Sequence, residues 1–242
     1  MLEISKISHV AVFEQEWRKA KFGKISASKF GLLVSKGSDV GVFTKQALTY
    51  IEGLAGEILT GEPAQAEFFN DDTDHGNATE PQAIEYSAGL LGLNILRNSE
   101  RGGTNRLIIN DEYSGCTPDA LLSKYESDKI FDETNQFIKV DTLEVKSPSK
   151  HHRFIKLFRC NTPADLKETE PLYYWQVITQ MVFCGALTAY FGCYNDKFPV
   201  PGKVITFKKI ELMEDIKKFN STLHFAKLEL AKTVKLLKGE KI

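Results

Sequence analysis

The sequence predicts an α/β protein with a central mixed β-sheet flanked by helices. Three observations carry that reading. Apolar residues recur at helical spacing through the N-terminal third. Between Arg106 and Val145 the pattern changes to short apolar and β-branched runs broken by polar turns. Beyond Lys150 helical and strand-like segments alternate, and a long amphipathic stretch closes the chain.

Glu14 to Phe22 has helical character, and Gly23 is its stop. Ser26 or Ser28 can cap a second, short helix ending near Ser35. Thr44 caps a longer one, in which Ala47, Leu48, Ile51, Leu54, Ala55 and Ile58 share a face and Gly61 ends the run. Thr79 followed by Gln82 resembles a capping box with Pro81 in the first turn, so a helix is expected from there to about Leu91. Arg106–Ile109, Gly115–Leu122 and Phe137–Val145 are expected strands, with Ser123–Gln136 as a polar hairpin loop. Lys150–Arg159 returns to helix, and Leu172–Cys184, apolar on most sides, is a buried one. Ala186–Tyr194 and Lys203–Ile210 are expected strands, and Glu214–Leu237 is the closing helix. Neither an internal repeat nor a Pro/Ser-rich linker interrupts the chain, so residues 1–242 are expected to form one domain.

Composition narrows the function. Of 242 residues, 42 % are hydrophobic and 26 % charged, which excludes disordered and fibrous classes. A formal net charge of -1 excludes a histone-like, charge-driven binder. The longest apolar stretch, Met181–Tyr194, is too short to span a bilayer, and Glu14 and Glu16 interrupt any export-like start. Cys116, Cys160, Cys184 and Cys193 form no C-x-x-C pair, which speaks against a zinc knuckle or an iron–sulfur site and fits reduced thiols in a cytoplasmic protein.

Charge is segregated along the chain. Residues 17–38 carry Arg18, Lys19, Lys21, Lys24, Lys29 and Lys36 without an acid. Residues 46–96 carry nine acids without a Lys or Arg, and residues 145–160 carry Lys146, Lys150, Arg153, Lys156 and Arg159 without an acid. Each run alone suits a solvated face. Two basic runs around a carboxylate-rich one also suit a polyanion held beside a metal site.

Thr117-Pro118-Asp119 and Leu143-Glu144-Val145-Lys146 carry the chemistry. Alternate residues of a strand share a face, so Glu144 and Lys146 point the same way, opposite Asp119 on a neighbouring strand. Acids and lysines are seldom buried together without purpose. Asp119, Glu144 and the Val145 carbonyl make a hard oxygen set suited to Mg²⁺. The Lys146 ammonium can position an attacking water or help to deprotonate it. An E-x-K triplet by itself also fits a solvated strand face.

The P-D…(D/E)-x-K arrangement resembles a nuclease superfamily, and the wording T-P-D-A-L-L with L-E-V-K-S-P is similar to its lambda exonuclease or YqaJ-type viral recombinase branch. Phe22-Gly23-Lys24-Ile25-Ser26-Ala27-Ser28, His75-Gly76-Asn77-Ala78-Thr79-Glu80 and Tyr173-Tyr174-Trp175-Gln176-Val177 resemble three further segments of that family, over about Trp17 to Tyr194. The resemblance implies a restriction-endonuclease-like core and a Mg²⁺-dependent 5′-to-3′ exodeoxyribonuclease. Such an enzyme digests one strand of linear duplex DNA and leaves 3′ overhangs for a single-strand-annealing protein. It implies metal ligation by Asp119, Glu144 and the Val145 carbonyl, a second ion completed by Glu80, Mn²⁺ as a substitute, Lys146 at the nucleophilic water, and Gln176 orienting the site. It also implies a 5′-phosphate pocket at Lys21, Ser26 and Ser28 with Arg18, further DNA contact at Lys150, and a trimeric ring. Two departures stand out: Lys21 occupies a usual arginine position, and Ile178 replaces a frequent second glutamine, with Gln180 two residues on. The rival readings are an endonuclease or repair nuclease on the same fold, and a catalytically silent DNA-end-binding module.

Asp71, Asp72, Asp74 and His75 are expected in an acidic loop leading to Glu80. His151 and His152 diverge on their helix, and His9 and His224 are structural. Tyr173, Tyr174 and Trp175 are expected in the core.

Overall fold

The computed structural model describes residues 10–12, 19–34, 41–64, 71–98, 105–125 and 140–240. Within them the helices are α1 (Ala27–Phe30), α2 (Lys45–Thr60), α3 (Asp71–Leu91), α4 (His151–Phe158), α5 (Pro163–Thr169), α6 (Pro171–Phe183) and α7 (Met213–Leu237). The strands are β1 (Val10–Val12), β2 (Ile25–Ser26), β3 (Asn94–Asn98), β4 (Asn105–Asp111), β5 (Ser114–Cys116), β6 (Ala120–Ser123), β7 (Asp141–Lys146), β8 (Thr188–Tyr194) and β9 (Gly202–Lys208). Strands β3-β6-β7-β8-β9 form a five-stranded mixed sheet in which only β7 and β8 run parallel; β1-β4-β5-β2 form a second, four-stranded sheet. The chain is therefore α/β with helices on the main sheet, as expected, but two sheets replace one.

Pro118 explains the split. A single strand was expected over Gly115–Leu122, but a proline cannot donate to a ladder, so the chain breaks at Thr117–Asp119. The residues before the break join β4, and those after it join β7. Asp119 stands at the corner where the chain leaves one sheet for the other.

Alternation along β6 and β7 separates two cores. Ala120, Leu122, Leu143 and Val145 pack against Ala83, Ile84 and Ala88 of α3. The opposite face, with Leu121, Ala189, Phe191, Ile205 and Phe207, belongs to the larger core under α6. At Gly192 of β8 a Cβ would stand 2.6 Å from Ser87 Oγ, so this glycine lets α3 lie close to the sheet.

Helix α3 departs from expectation at its start. It begins at Asp71, so Thr79 and Pro81 are interior and the capping box does not form. Thr79 Oγ1 instead donates back to the His75 carbonyl at 2.9 Å. Residues 71–74 open the helix rather than forming a loop. Thr44 caps α2 by accepting from Ala47 N at 3.2 Å, and Gly61 ends it at φ 70°. The expected first helix is described only from residue 19: residues 19–21 are helical, and a turn at Phe22 and Gly23 ends it. Strands β1, β2 and β3 and helix α5 were not anticipated. Residues 137–139 were expected in a strand and residues 126–136 in the hairpin loop; both lie outside the described residues.

Helix α6 is wedged between the main sheet and the C-terminal helix. Tyr174 Oη donates to Asp215 Oδ2 at 2.6 Å, and Lys167 Nζ donates to Asp215 Oδ1 at 2.6 Å, tying α5 and α6 to α7. Among the described residues no helix is long and apolar enough to cross a membrane.

Candidate active site

The site lies at the end of β7. Strand β6 pairs with β7 only as far as Leu143, whereas β8 follows it to Lys146. Residues 144–146 therefore have a ladder on one side alone. On the other, Val145 N donates to Asp119 Oδ2 at 2.8 Å. A residue's N–H and C=O leave a strand on the same edge, so the Val145 carbonyl also opens toward Asp119.

Glu144 is 1 % exposed. Its Oε1 accepts from Lys146 Nζ and from Gln176 Nε2, the latter at 2.6 Å. Its Oε2 accepts from Gln180 Nε2, also at 2.6 Å. Lys146 is 26 % exposed, and its ammonium also lies over the Tyr173 ring at 5.3 Å. Tyr173 in turn stacks on Phe191 at 5.9 Å.

Electrostatics bind these groups into one unit. Burial and the Glu144 charge hold the Asp119 carboxyl well above the usual carboxylate range; Glu80 pushes it further up, and Lys146 opposes them. Burial would lower the Lys146 ammonium, but the Glu144 and Asp119 charges outweigh it and raise it. Glu80 therefore stands within electrostatic reach of Asp119, brought there by α3. Among the described residues, no three His, Cys, Asp or Glu side chains converge as a ready-made metal nest.

The structure thus brings together Asp119, Glu144, Val145, Lys146 and Gln176, with Glu80 at the margin. Gln180 joins them. Its signal in the sequence was a second amide four residues after Gln176 on a helix whose other core-facing positions are mainly apolar. Tyr174 and Trp175 are core, as expected, but Tyr173 is half-buried beside Lys146.

The residues expected to hold a terminal phosphate form a separate group at β2 and α1. Ser26 Oγ and Ser28 Oγ are 3.4 Å apart, and Ser26 N donates to Tyr50 Oη at 3.1 Å. Burial pushes the Tyr50 phenol up to about 12, so it stays a neutral partner. Lys24 is turned aside, donating to the Glu112 carbonyl at 2.7 Å. Lys21 and Ser28 are exposed. Gly23 shapes the turn: its φ is 68°, its N–H donates to Glu57 Oε2 at 2.9 Å, and a Cβ there would fall 2.2 Å from Ile58 Cγ1. The group reaches the site through α1, where Gly31 meets Leu172 at the start of α6. Lys150, exposed, precedes α4 just beyond the site strand. Arg18 lies outside the described residues.

A family profile described as the YqaJ-like viral recombinase domain matches residues 16–187. No curated protein sequence is significantly similar. Among solved structures, an alkaline exonuclease (LHK-Exo) from Laribacter hongkongensis is similar at TM-score 0.63 and 20 % identity, covering 93 % of this chain and 98 % of that one. The same protein in complex with dAMP matches at TM-score 0.63 and 21 % identity, with the same coverage. A phage-related exonuclease from Haemophilus somnus 129PT matches at TM-score 0.60 and 15 % identity, covering 88 % of this chain and 96 % of that one.

Proposed function

Because this chain belongs to the YqaJ-like viral recombinase family and is a nuclease, we propose that it is an exonuclease on linear duplex DNA, removing one strand from its 5′ end and leaving 3′ overhangs for a single-strand-annealing protein. The observation that carries the reading is the buried Glu144 beside a partly buried Asp119, with Lys146 set against Glu144 under an amide from α6.

The residues suit Mg²⁺, with Mn²⁺ as a substitute. Asp119 is held above its usual range by burial and by a neighbouring like charge, so a cation there offsets a repulsion already present. The donors are hard oxygens: Asp119, Glu144 and the Val145 carbonyl would hold one ion, and Glu80 would complete a second site. When bound, such ions supply positive charge against the oxygens of the scissile phosphate.

The protein's own groups do the rest. Val145 N–H fixes one oxygen of Asp119. Gln176 turns Glu144. Glu144 and Asp119 favour the ammonium form of Lys146. Lys146 would position the attacking water or help to deprotonate it once cations offset those acids. Ser26, Ser28 and Lys21, with Arg18, would receive the terminal 5′-phosphate, and Lys150 with its basic helix would track the backbone.

The test uses linear duplexes with 5′-phosphate or 5′-hydroxyl ends, and covalently closed circles, each with Mg²⁺ or EDTA. Mg²⁺-dependent loss of the phosphorylated linear strand, with circles intact, is expected. Cut circles would replace the proposal with an endonuclease, and binding without cleavage with a silent end-binding module.

A further inference from the structure

Gln180 is 0 % exposed on a mainly apolar stretch of α6, among Val177, Ile178 and Met181. Its Nε2 donates to Glu144 Oε2 at 2.6 Å, while its own Oε1 is buried without a hydrogen-bond partner. The amide cannot be turned round, because two acceptor oxygens would then face each other at that distance. A buried carbonyl left unpaired costs stability, and Leu or Met would suit the surrounding core better. The fold alone gives no reason for an amide here; the contact with Glu144 does.

A carboxylate has about four acceptor positions. On Glu144, Oε1 takes two donors, Lys146 and Gln176, and Oε2 takes one, Gln180. The remaining position is on the oxygen that Gln180 holds. We propose that Gln180 is a positioning residue for that metal-facing oxygen: Gln176 and Gln180, one turn apart, clamp the two oxygens of Glu144 separately, and Gln180 aims the one that takes the cation. This rests on the reading of Glu144 as a metal ligand. Residues that orient a ligand typically carry about 10- to 100-fold in metal affinity or activity.

The experiment titrates Mn²⁺ alone into the whole protein by calorimetry and follows exonuclease rate against Mn²⁺ concentration, for the parent and for Q180M, which keeps the length but cannot donate. The expected result is Mn²⁺ affinity weakened about 10- to 100-fold, with rate recovered at high Mn²⁺, unchanged DNA-end affinity in EDTA and an undiminished melting temperature. If Q180M does not fold, Q180N, which draws the amide back by one methylene, is expected to weaken Mn²⁺ in the same way. Mn²⁺ affinity within twofold of the parent in whichever variant folds overturns the role of Gln180. A parent that binds no Mn²⁺ overturns the metal reading itself, so the two failures are distinct.

Discussion

Glu144 is the residue on which most of the site converges, and the consequences of changing it differ from those of changing its neighbours. Glu144→Ala removes the acceptor for three donors, and it should abolish strand digestion by several orders of magnitude while DNA-end binding survives in a gel-shift assay. Near-parental turnover in that variant would sink the assignment. Lys146→Met should leave the acids in place but remove the positive charge between them. We expect a loss of about 10²–10⁴-fold in turnover with little change in DNA affinity, measured by single-turnover digestion. Asp119, Glu144 and Lys146 were legible from sequence because family-like segments frame them; the E-x-K triplet alone also fits a solvated strand face. Gln180 was legible only as an alternative to Gln176; the packing of α6 on β7 shows that both amides, four residues apart, reach the two oxygens of one carboxylate.

At the scale of elements, α2, α6 and α7 were readable from apolar periodicity or a sustained apolar run and stand within a residue or so of their expected bounds, although of the three only α2 carries a side-chain cap. The structure departs from expectation where one residue type has two structural uses. Pro81 suits a first turn, yet α3 carries it in its interior; Pro118, inside an expected strand, ends one sheet and starts another. Short strands such as β2 take their identity from tertiary pairing, which periodicity does not encode. The turn before β2 shapes the group proposed to hold the terminal phosphate. Gly23→Ala places an L residue at φ 68° and a methyl against Ile58, so we expect a loss of about 1–2 kcal/mol from the backbone alone. A lower melting temperature should accompany it, as should a weakened preference for 5′-phosphorylated ends. Full preference in a folded variant would locate the pocket elsewhere.

At the scale of the whole molecule, α7 is joined to the smaller sheet by Lys227, whose ammonium donates to Asp111 Oδ2, while Ser114 Oγ and Tyr113 N each donate to Oδ1 at 2.9 Å. Burial would raise the Asp111 carboxyl, but these bonds outweigh it and hold it below its usual range. A carboxyl depressed in the folded state contributes stability above its unfolded value of about 3.9, and that stability is lost as pH falls through the folded one. Asp111→Asn should therefore flatten the fall in melting temperature below about pH 4, modestly, since Asp111 is 38 % exposed. A parallel fall in both proteins would remove the pair from the acid response. Assembly is a separate expectation. The acids Glu52, Glu62 and Glu85 and the Lys-rich segment from Lys203 onward offer opposite charge for a heterologous ring, so light scattering at moderate salt should give about three times 27.2 kDa. A monomer at every ionic strength would refute it. The half-paired end of β7 has a consequence in time as well as in space. The Val145 amide is kept from solvent by a side chain, not by a neighbouring strand. Its exchange with deuterium should therefore follow opening of the Asp119 contact, orders of magnitude faster than global unfolding. Asp119→Ala should erase its protection while β8 amides stay slow, which makes one backbone proton a clock for how often the site loosens.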